Sequence, residues 1–117
     1  MSFEESMREL LESCPGARGA AIVDPDGIPV VASPEDGWME TLGAELAAIL
    51  RDLAEAAREL QHGQLEQCSV FAEEAVIILT TITAGYFLVL VINRDGLAGK
   101  GRFLSRLARA RLYAEFI

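Results

Sequence analysis

The chain has 117 residues, 51% hydrophobic and 24% charged, which suits one folded domain with a core and excludes disordered and fibrous classes. Its 10 basic and 18 acidic side chains give a net charge of −8, which opposes general binding to nucleic acid. The longest apolar run, Tyr86 to Ile92, is too short to cross a bilayer, which takes about 20 residues. We therefore predict a single domain over residues 1–117 with no transmembrane segment.

The first third of the chain predicts a helix followed by a β-hairpin. Residues 3–13 carry apolar side chains at helical spacing, and Ser2 stands where an N-terminal cap belongs. Two apolar runs, 19–23 and 28–32, flank an Asp-Pro-Asp-Gly sequence that is typical of a tight turn. Because Pro29 has no backbone N–H to donate, we expect the second strand at an edge of its sheet.

A long amphipathic helix is predicted from Gly37 to His62, with Gly63 ending it. Its large apolar residues share a stripe about 120° wide, which we expect to face the core. The stripe consists of Trp38, Leu42, Leu46, Ile49, Leu53, Ala57 and Leu60. A row of small residues, Gly43, Ala47 and Ala54, runs between this stripe and the charged side of the helix.

The remainder predicts three strands and a final helix. The strands 65–71, 75–82 and 86–92 are joined by short connections, so we expect a meander. The last strand is apolar on both faces, which is typical of a central strand covered by helices on both sides. In the final helix the inward residues are expected to be Leu97, Leu104, Leu107, Ala108 and Leu112, and the outward ones Arg102, Arg106 and Arg109. The predicted order in this α+β fold is α-β-β-α-β-β-β-α.

Motifs for catalysis or for metal and cofactor binding are weak in this sequence. His62 is the single histidine, and no further ligand stands at metal-binding spacing. Gly96–Gly101 follows a strand and opens a helix, but Arg94 occupies the place of the first glycine of a phosphate loop, so we interpret it as a turn. The start of the chain lacks the basic and apolar segments of a secretory signal. We expect a cytoplasmic protein that is not an enzyme, with reduced thiols at Cys14 and Cys68 and no cofactor or metal.

The arginines of the final helix allow two interpretations. They form either a solvated outer face or a docking surface for an acidic partner or an anionic lipid. The sequence leaves both open.

The segment from Cys14 to Val30, Cys-Pro-Gly-Ala-Arg-Gly-Ala-Ala-Ile-Val-Asp-Pro-Asp-Gly-Ile-Pro-Val, resembles the signature hairpin of the Roadblock/dynein light chain family. The resemblance extends over the long helix, the meander and the Leu-Ala-Gly start of the last helix, from residue 4 to residue 112. It implies a profilin-like, five-stranded antiparallel sheet with the long helix on one face and the two terminal helices on the other. Members form homodimers or heterodimers and serve as regulators or scaffolds of Ras-like small GTPases, or as dynein light chains. Prokaryotic MglB-like members bind a small Ras-like GTPase and stimulate the hydrolysis of GTP by that partner.

The resemblance and the residue pattern together suggest two contact surfaces. A homodimer is expected to use the open edge strand and the small row of the long helix, since small residues let another helix approach closely. Its candidate residues are Gly43, Ala47, Ala54, Leu65, Cys68 and Val70. The alternative for the small row is packing under the chain's own loops. The GTPase is expected to dock on the outward charges of the long helix: Glu45, Arg51, Asp52, Glu55, Arg58 and Glu59.

Two other functions compete with a GTPase regulator. One is a structural light chain of a motor or membrane complex, which would leave GTP turnover by the partner unchanged. The other is a small-molecule sensor of profilin- or PAS-like architecture, which would show ligand-dependent melting. A sensor needs a cavity with converging polar groups, and the sequence reveals no such group.

Overall fold

The computed structural model describes residues 2–35 and 37–116, and it confirms the predicted order of elements. In chain order they are α1 (Phe3–Ser13), β1 (Ala17–Val23), β2 (Pro29–Ser33), α2 (Trp38–Glu59), β3 (Gln67–Phe71), β4 (Ala75–Thr83), β5 (Tyr86–Asn93), α3 (Ala98–Tyr113) and a 3₁₀ turn (Ala114–Phe116). Within the described residues, no helix combines the length and apolarity needed to cross a membrane.

The strands form one antiparallel sheet in the order β2-β1-β5-β4-β3. The prediction of a central last strand is confirmed, because β5 lies in the middle and its residues 87–92 are all buried. The prediction from Pro29 is also confirmed, since β2 forms one edge of the sheet. The opposite edge is β3, which pairs only with β4 among the described strands.

Each face of the sheet carries its own hydrophobic core. On one face α1 packs against β1 and β2 and α3 packs against β4 and β5, through buried residues that include Met7, Leu10, Ile78, Leu90, Ala108 and Leu112. On the other face α2 packs through buried residues that include Met39, Leu46, Ala47, Leu50, Leu79, Phe87 and Val89. The long helix and the two terminal helices thus lie on opposite faces, as predicted.

The predicted turn between β1 and β2 is confirmed and also positions α2. The Asp24 Oδ1 accepts hydrogen bonds from the backbone N–H groups of Asp26 (2.9 Å) and Ile28 (3.0 Å). Gly27 has a φ of +86°, and a Cβ added there would lie 2.8 Å from the Ala44 Cα. Glycine is therefore required both by the turn and by the close approach of α2.

The end of α2 differs from the prediction. The helix ends at Glu59 with Leu60 as its cap, and the left-handed residue directly after the cap is Gln61 (φ +62°); Gly63 is also left-handed (φ +84°) but lies beyond the helix end. The Gln61 N–H donates to the Arg58 carbonyl (3.0 Å), and the His62 N–H donates to the Ala57 carbonyl (2.9 Å). These two bonds form a Schellman motif, so backbone hydrogen bonding ends the helix before Gly63 is reached.

The apolar stripe predicted for α2 is only partly buried, and this prediction is corrected. Ile49, Leu53 and Leu60 are 51%, 39% and 66% exposed. The small row meets the sheet instead, because a Cβ at Gly43 would lie only 3.1 Å from the Gly27 carbonyl oxygen. The small side chains allow this close approach and thereby set the rotation of the helix about its axis.

The inward face predicted for α3 is also corrected in part. Ala108 and Leu112 are buried, but Leu97 and Leu107 are 54% and 40% exposed. The space that the predicted leucines would fill is taken partly by the helix backbone, since a Cβ at Gly101 would lie 2.4 Å from the Ile92 Cδ1. The Gly96–Gly101 segment therefore serves close packing of α3 on the sheet.

Candidate interaction surface

The charged side of α2 consists of the six side chains predicted to bind a partner. All of them are exposed: Glu45, Arg51, Asp52, Glu55, Arg58 and Glu59. Within residues 2–35 and 37–116, no ion pair joins two of the six, and the ion pair between Arg111 and Glu9 (3.3 Å) lies elsewhere. The structure therefore brings these residues together on one helix with their charges open to solvent.

The apolar flank of α2 consists of Leu42, Ile49, Leu53 and Leu60. Spacings of seven, four and seven residues place these four side chains along one line of the helix. Leu42 is half-buried and the other three are exposed. Sequence reasoning assigned the flank to the core and missed it as a surface. The signal was the row of small residues beside the stripe, because small side chains allow the helix to approach its neighbours on that side more closely.

The edge strand β3 presents a second exposed apolar surface. Cys68 is half-buried and packs with the core under α2, and Val70, two residues further on, is 40% exposed on the same face. Leu65, just before the strand, is half-buried against the same core. On the other face Phe71 is 53% exposed, with the Arg94 guanidinium 5.2 Å from its ring centroid.

The small row of α2 is not a surface in this fold. Gly43 and Ala47 are buried within the chain, where they contact Val23 and the β1–β2 turn. This arrangement matches the alternative of packing under the chain's own loops and corrects the expectation that these two residues face a second helix. Ala54, one turn beyond Leu50, is half-buried.

Of the three arginines predicted to face outward on α3, Arg106 is exposed and Arg102 and Arg109 are half-buried, and the side chains of Arg106 and Arg109 donate hydrogen bonds to residues of the sheet. The Arg109 Nε donates to the Thr81 carbonyl (2.7 Å), and its Nη2 donates to the Ile82 carbonyl (3.5 Å). The Arg106 Nη1 donates to the Gln67 Oε1 (3.1 Å), while the Gln67 Nε2 donates to the Arg102 carbonyl (3.1 Å). These bonds connect α3 to β4 through Arg109 and to the edge strand β3 through Gln67, which bonds to the Arg106 side chain and the Arg102 carbonyl.

The two cysteines and the histidine lie in different environments. Both thiols are free; Cys14 is buried on the α1 side and Cys68 is half-buried on β3. Burial raises the pKa of the Cys14 thiol, and the positive charge of Lys100 lowers it to a smaller extent. His62 is exposed after α2, and in the described part of the chain no group of three metal-ligating side chains is assembled.

Known proteins resemble this chain both in a family profile and in three-dimensional structure. The profile of the Roadblock/LC7 domain matches residues 4–93. No curated protein is significantly similar in sequence. A Roadblock/LC7 domain from Streptomyces avermitilis has a similar structure (TM-score 0.90) at 14% identity, with 99% of this chain and 98% of that chain covered. MglC from Myxococcus xanthus is 29% identical over 98% of this chain and 99% of that chain, with a TM-score of 0.70. An MglB with a tetrameric arrangement has a TM-score of 0.84 and 21% identity, covering 95% of this chain and 85% of that chain.

Proposed function

Because this chain belongs to the Roadblock/LC7 domain family, we propose that it is a noncatalytic homodimer that regulates a small Ras-like GTPase. The observation that carries the proposal is the presence of two exposed apolar features on one face of the sheet, the apolar flank of α2 and the Val70 side of β3. Exposed apolar surface of this kind marks contact with another chain.

The occupant of this apolar surface is a second copy of the chain. The outer backbone groups of β3 have no partner strand within the described residues, and an antiparallel second β3 supplies one. The apolar flank of each α2 then faces its counterpart, because Ile49 and Leu53 lie on the same face of the sheet as Val70. Self-association of the related MglB with a tetrameric arrangement supports this step.

The GTPase docks on the charged side of α2. Its four acidic and two basic residues are free of ion pairs with one another in the described chain, so they are available to complementary charges. Two copies of the helix double this surface. Charges at such a surface govern the association rate and specificity more than the bulk affinity.

The test is association of the homodimer with a Ras-like GTPase from the same organism, loaded with a GTP analogue or with GDP and followed by biolayer interferometry. Glu45, Asp52 and Glu59 recur every seven residues, so they form an acidic row on the charged side. The double variant Asp52→Lys/Glu59→Lys should slow association at least about tenfold while leaving the dimer mass unchanged.

A matched double reversal on α1, Glu4→Lys/Glu12→Lys, changes the net charge equally at exposed positions outside the surface and should leave the rate unchanged. Equal slowing by both double variants would contradict docking on α2. Loss of binding only on replacing Arg102 and Arg106 would assign docking to α3 instead. If the complex forms but GTP turnover is unchanged, the structural light chain is the correct function.

A further inference from the structure

The C-terminal half of α2 bounds a half-open cavity at the end of the sheet. Leu50 is the last buried residue of the helix, and residues 51–59 contain none. Between this segment, Leu65 and the turn that joins β4 to β5 lies a cavity of about 320 Å³. Sites for small molecules have volumes of roughly 300–1,000 Å³, so this cavity is large enough for a small ligand.

Three arginines line the cavity and converge on it from both faces of the sheet. Arg51 and Arg58 come from α2, seven residues apart, which places them about 10 Å from each other along one side of the helix. Arg109 reaches the cavity from α3 and is held at its rim by the bonds to the carbonyl groups of Thr81 and Ile82. The tertiary fold therefore places three arginine side chains around one cavity, where the Arg51 Nη2 also donates to the Pro25 carbonyl (3.4 Å).

The positive charge in the cavity is not balanced by the protein. None of the described residues that line it is acidic, although the chain as a whole carries a net charge of −8. Within residues 2–35 and 37–116, none of the three arginines has a carboxylate oxygen within 4.0 Å. A concave site with uncompensated charge of one sign concentrates ions of the opposite sign.

The remaining lining is largely apolar, with Leu50, Ala54 and Leu65 among the contributing side chains. Arginine presents a planar set of N–H donors that matches the oxygens of carboxylate and phosphate groups. A ligand that satisfies the whole site therefore combines one anionic group with a short apolar part.

We propose that this cavity binds a small organic anion, whose carboxylate or phosphate group pairs with Arg51 and Arg58 beside Arg109. The apolar part of the ligand lies against Leu50 and Leu65. The cavity lies away from the apolar flank of α2, because Arg51 and Arg58 lie roughly 180° around the helix from Ile49 and Leu53, but its lining includes Ala54 and Leu65, which are also candidate dimer residues. It also does not depend on a GTPase partner.

The site is tested on the full chain by two-dimensional NMR titration with hexyl phosphate and with hexanoate, using hexanol as the neutral control. Saturable shifts of the backbone amides of Leu65, Ala84 and Gly85 are expected with one or both anions and not with hexanol. A response to only one of the two identifies the anionic group that is recognised. Absence of saturable shifts with both anions, or equal binding of hexanol, would overturn the proposal.

Two kinds of variant separate binding in the cavity from general attraction to positive charge. Arg58→Gln should weaken binding about tenfold or more, as expected for loss of one charge-assisted contact. Arg8→Gln removes the same charge at an exposed position on α1 and should leave binding unchanged. Ala54→Phe keeps every charge but fills the cavity, and it should abolish binding with the melting temperature retained. Equal weakening by Arg8→Gln and Arg58→Gln, or full binding by Ala54→Phe, would contradict the site.

Discussion

The two faces of the sheet are covered to different extents by the chain's own helices. Under α1 and α3, Met7 and Leu112 are 0% and 1% exposed. On the opposite face α2 packs on β1 and β2 and leaves its apolar flank exposed, and the Val70 side of the edge strand β3 is exposed as well. Where the chain covers its own sheet, apolar residues stabilise the fold, and where it does not, they remain available to another chain.

Three consecutive residues of α2 allow this contrast to be tested with one substitution. Ala47 points into the core, Ala48 is exposed on the charged side, and Ile49 lies on the apolar flank. Aspartate at each position introduces the same carboxylate into three environments. The exposed Ala48→Asp variant is the control for the other two.

The largest effect is expected for Ala47→Asp. The carboxylate would be buried beside Val23 and the β1–β2 turn, and the exposed Arg51 one turn further along the helix offsets only part of its desolvation, so the variant should lose about 3 kcal/mol of unfolding free energy. Chemical denaturation measures this loss. Ala48→Asp should change the unfolding free energy by no more than about 0.5 kcal/mol. Similar stabilities of the two variants would show that Ala47 is not part of the core contact.

The next effect concerns association rather than folding. Ile49→Asp places a charge on the apolar flank, so the monomer should stay folded while the dimer is weakened at least about 100-fold, equivalent to about 2.7 kcal/mol. Light scattering should give the mass of one chain for Ile49→Asp and of two for Ala48→Asp. A dimer that persists in Ile49→Asp at micromolar concentration would exclude the apolar flank from the interface.

The smallest effect expected is on the pH dependence of the unfolding free energy, and it distinguishes the two thiols, which lie on opposite faces of the sheet. Burial raises the pKa of Cys14 above its ordinary value of 9.0, so on raising the pH the thiol ionises first in the unfolded chain. The unfolded state then binds fewer protons, and the unfolding free energy falls as the pH rises past about 9, by at most about 1.4 kcal/mol per pH unit. The Cys14→Ala variant should lose this contribution to the fall of the unfolding free energy with pH. Cys68→Ala should keep it, and an equal slope in both variants would contradict the assignment to Cys14.

Much of the fold could be predicted from the sequence because its signals are local. The Asp-Pro-Asp-Gly turn depends on side-chain bonds from Asp24 and on the left-handed Gly27 within one short segment. The edge position of β2 depends on the missing N–H of Pro29, and the central position of β5 on a strand that is apolar on both faces. The charged side of α2 was likewise identified, since exposure of charged residues follows from helical period alone.

The candidate surfaces could be predicted only in part. Helical periodicity identifies which side of α2 is apolar, but the burial of that side depends on rotation about the helix axis. That rotation is set by contact of Gly43 and Ala47 with the β1–β2 turn, residues distant in sequence. The burial of the small row and the exposure of Ile49 and Leu53 follow from it.

By itself, the sequence determined the order of elements and the edges of the sheet, because these depend on local conformational preference and on hydrophobic period, and its resemblance to the signature hairpin over residues 14–30 indicated the family. Only the tertiary structure decided which apolar side chains remain exposed and which arginines line the same cavity. Arg109 is bonded to the Thr81 carbonyl, 28 positions away along the chain, and shares a cavity with Arg51 and Arg58. Such convergence depends on how helices pack across a sheet, and spacing along the chain does not encode it.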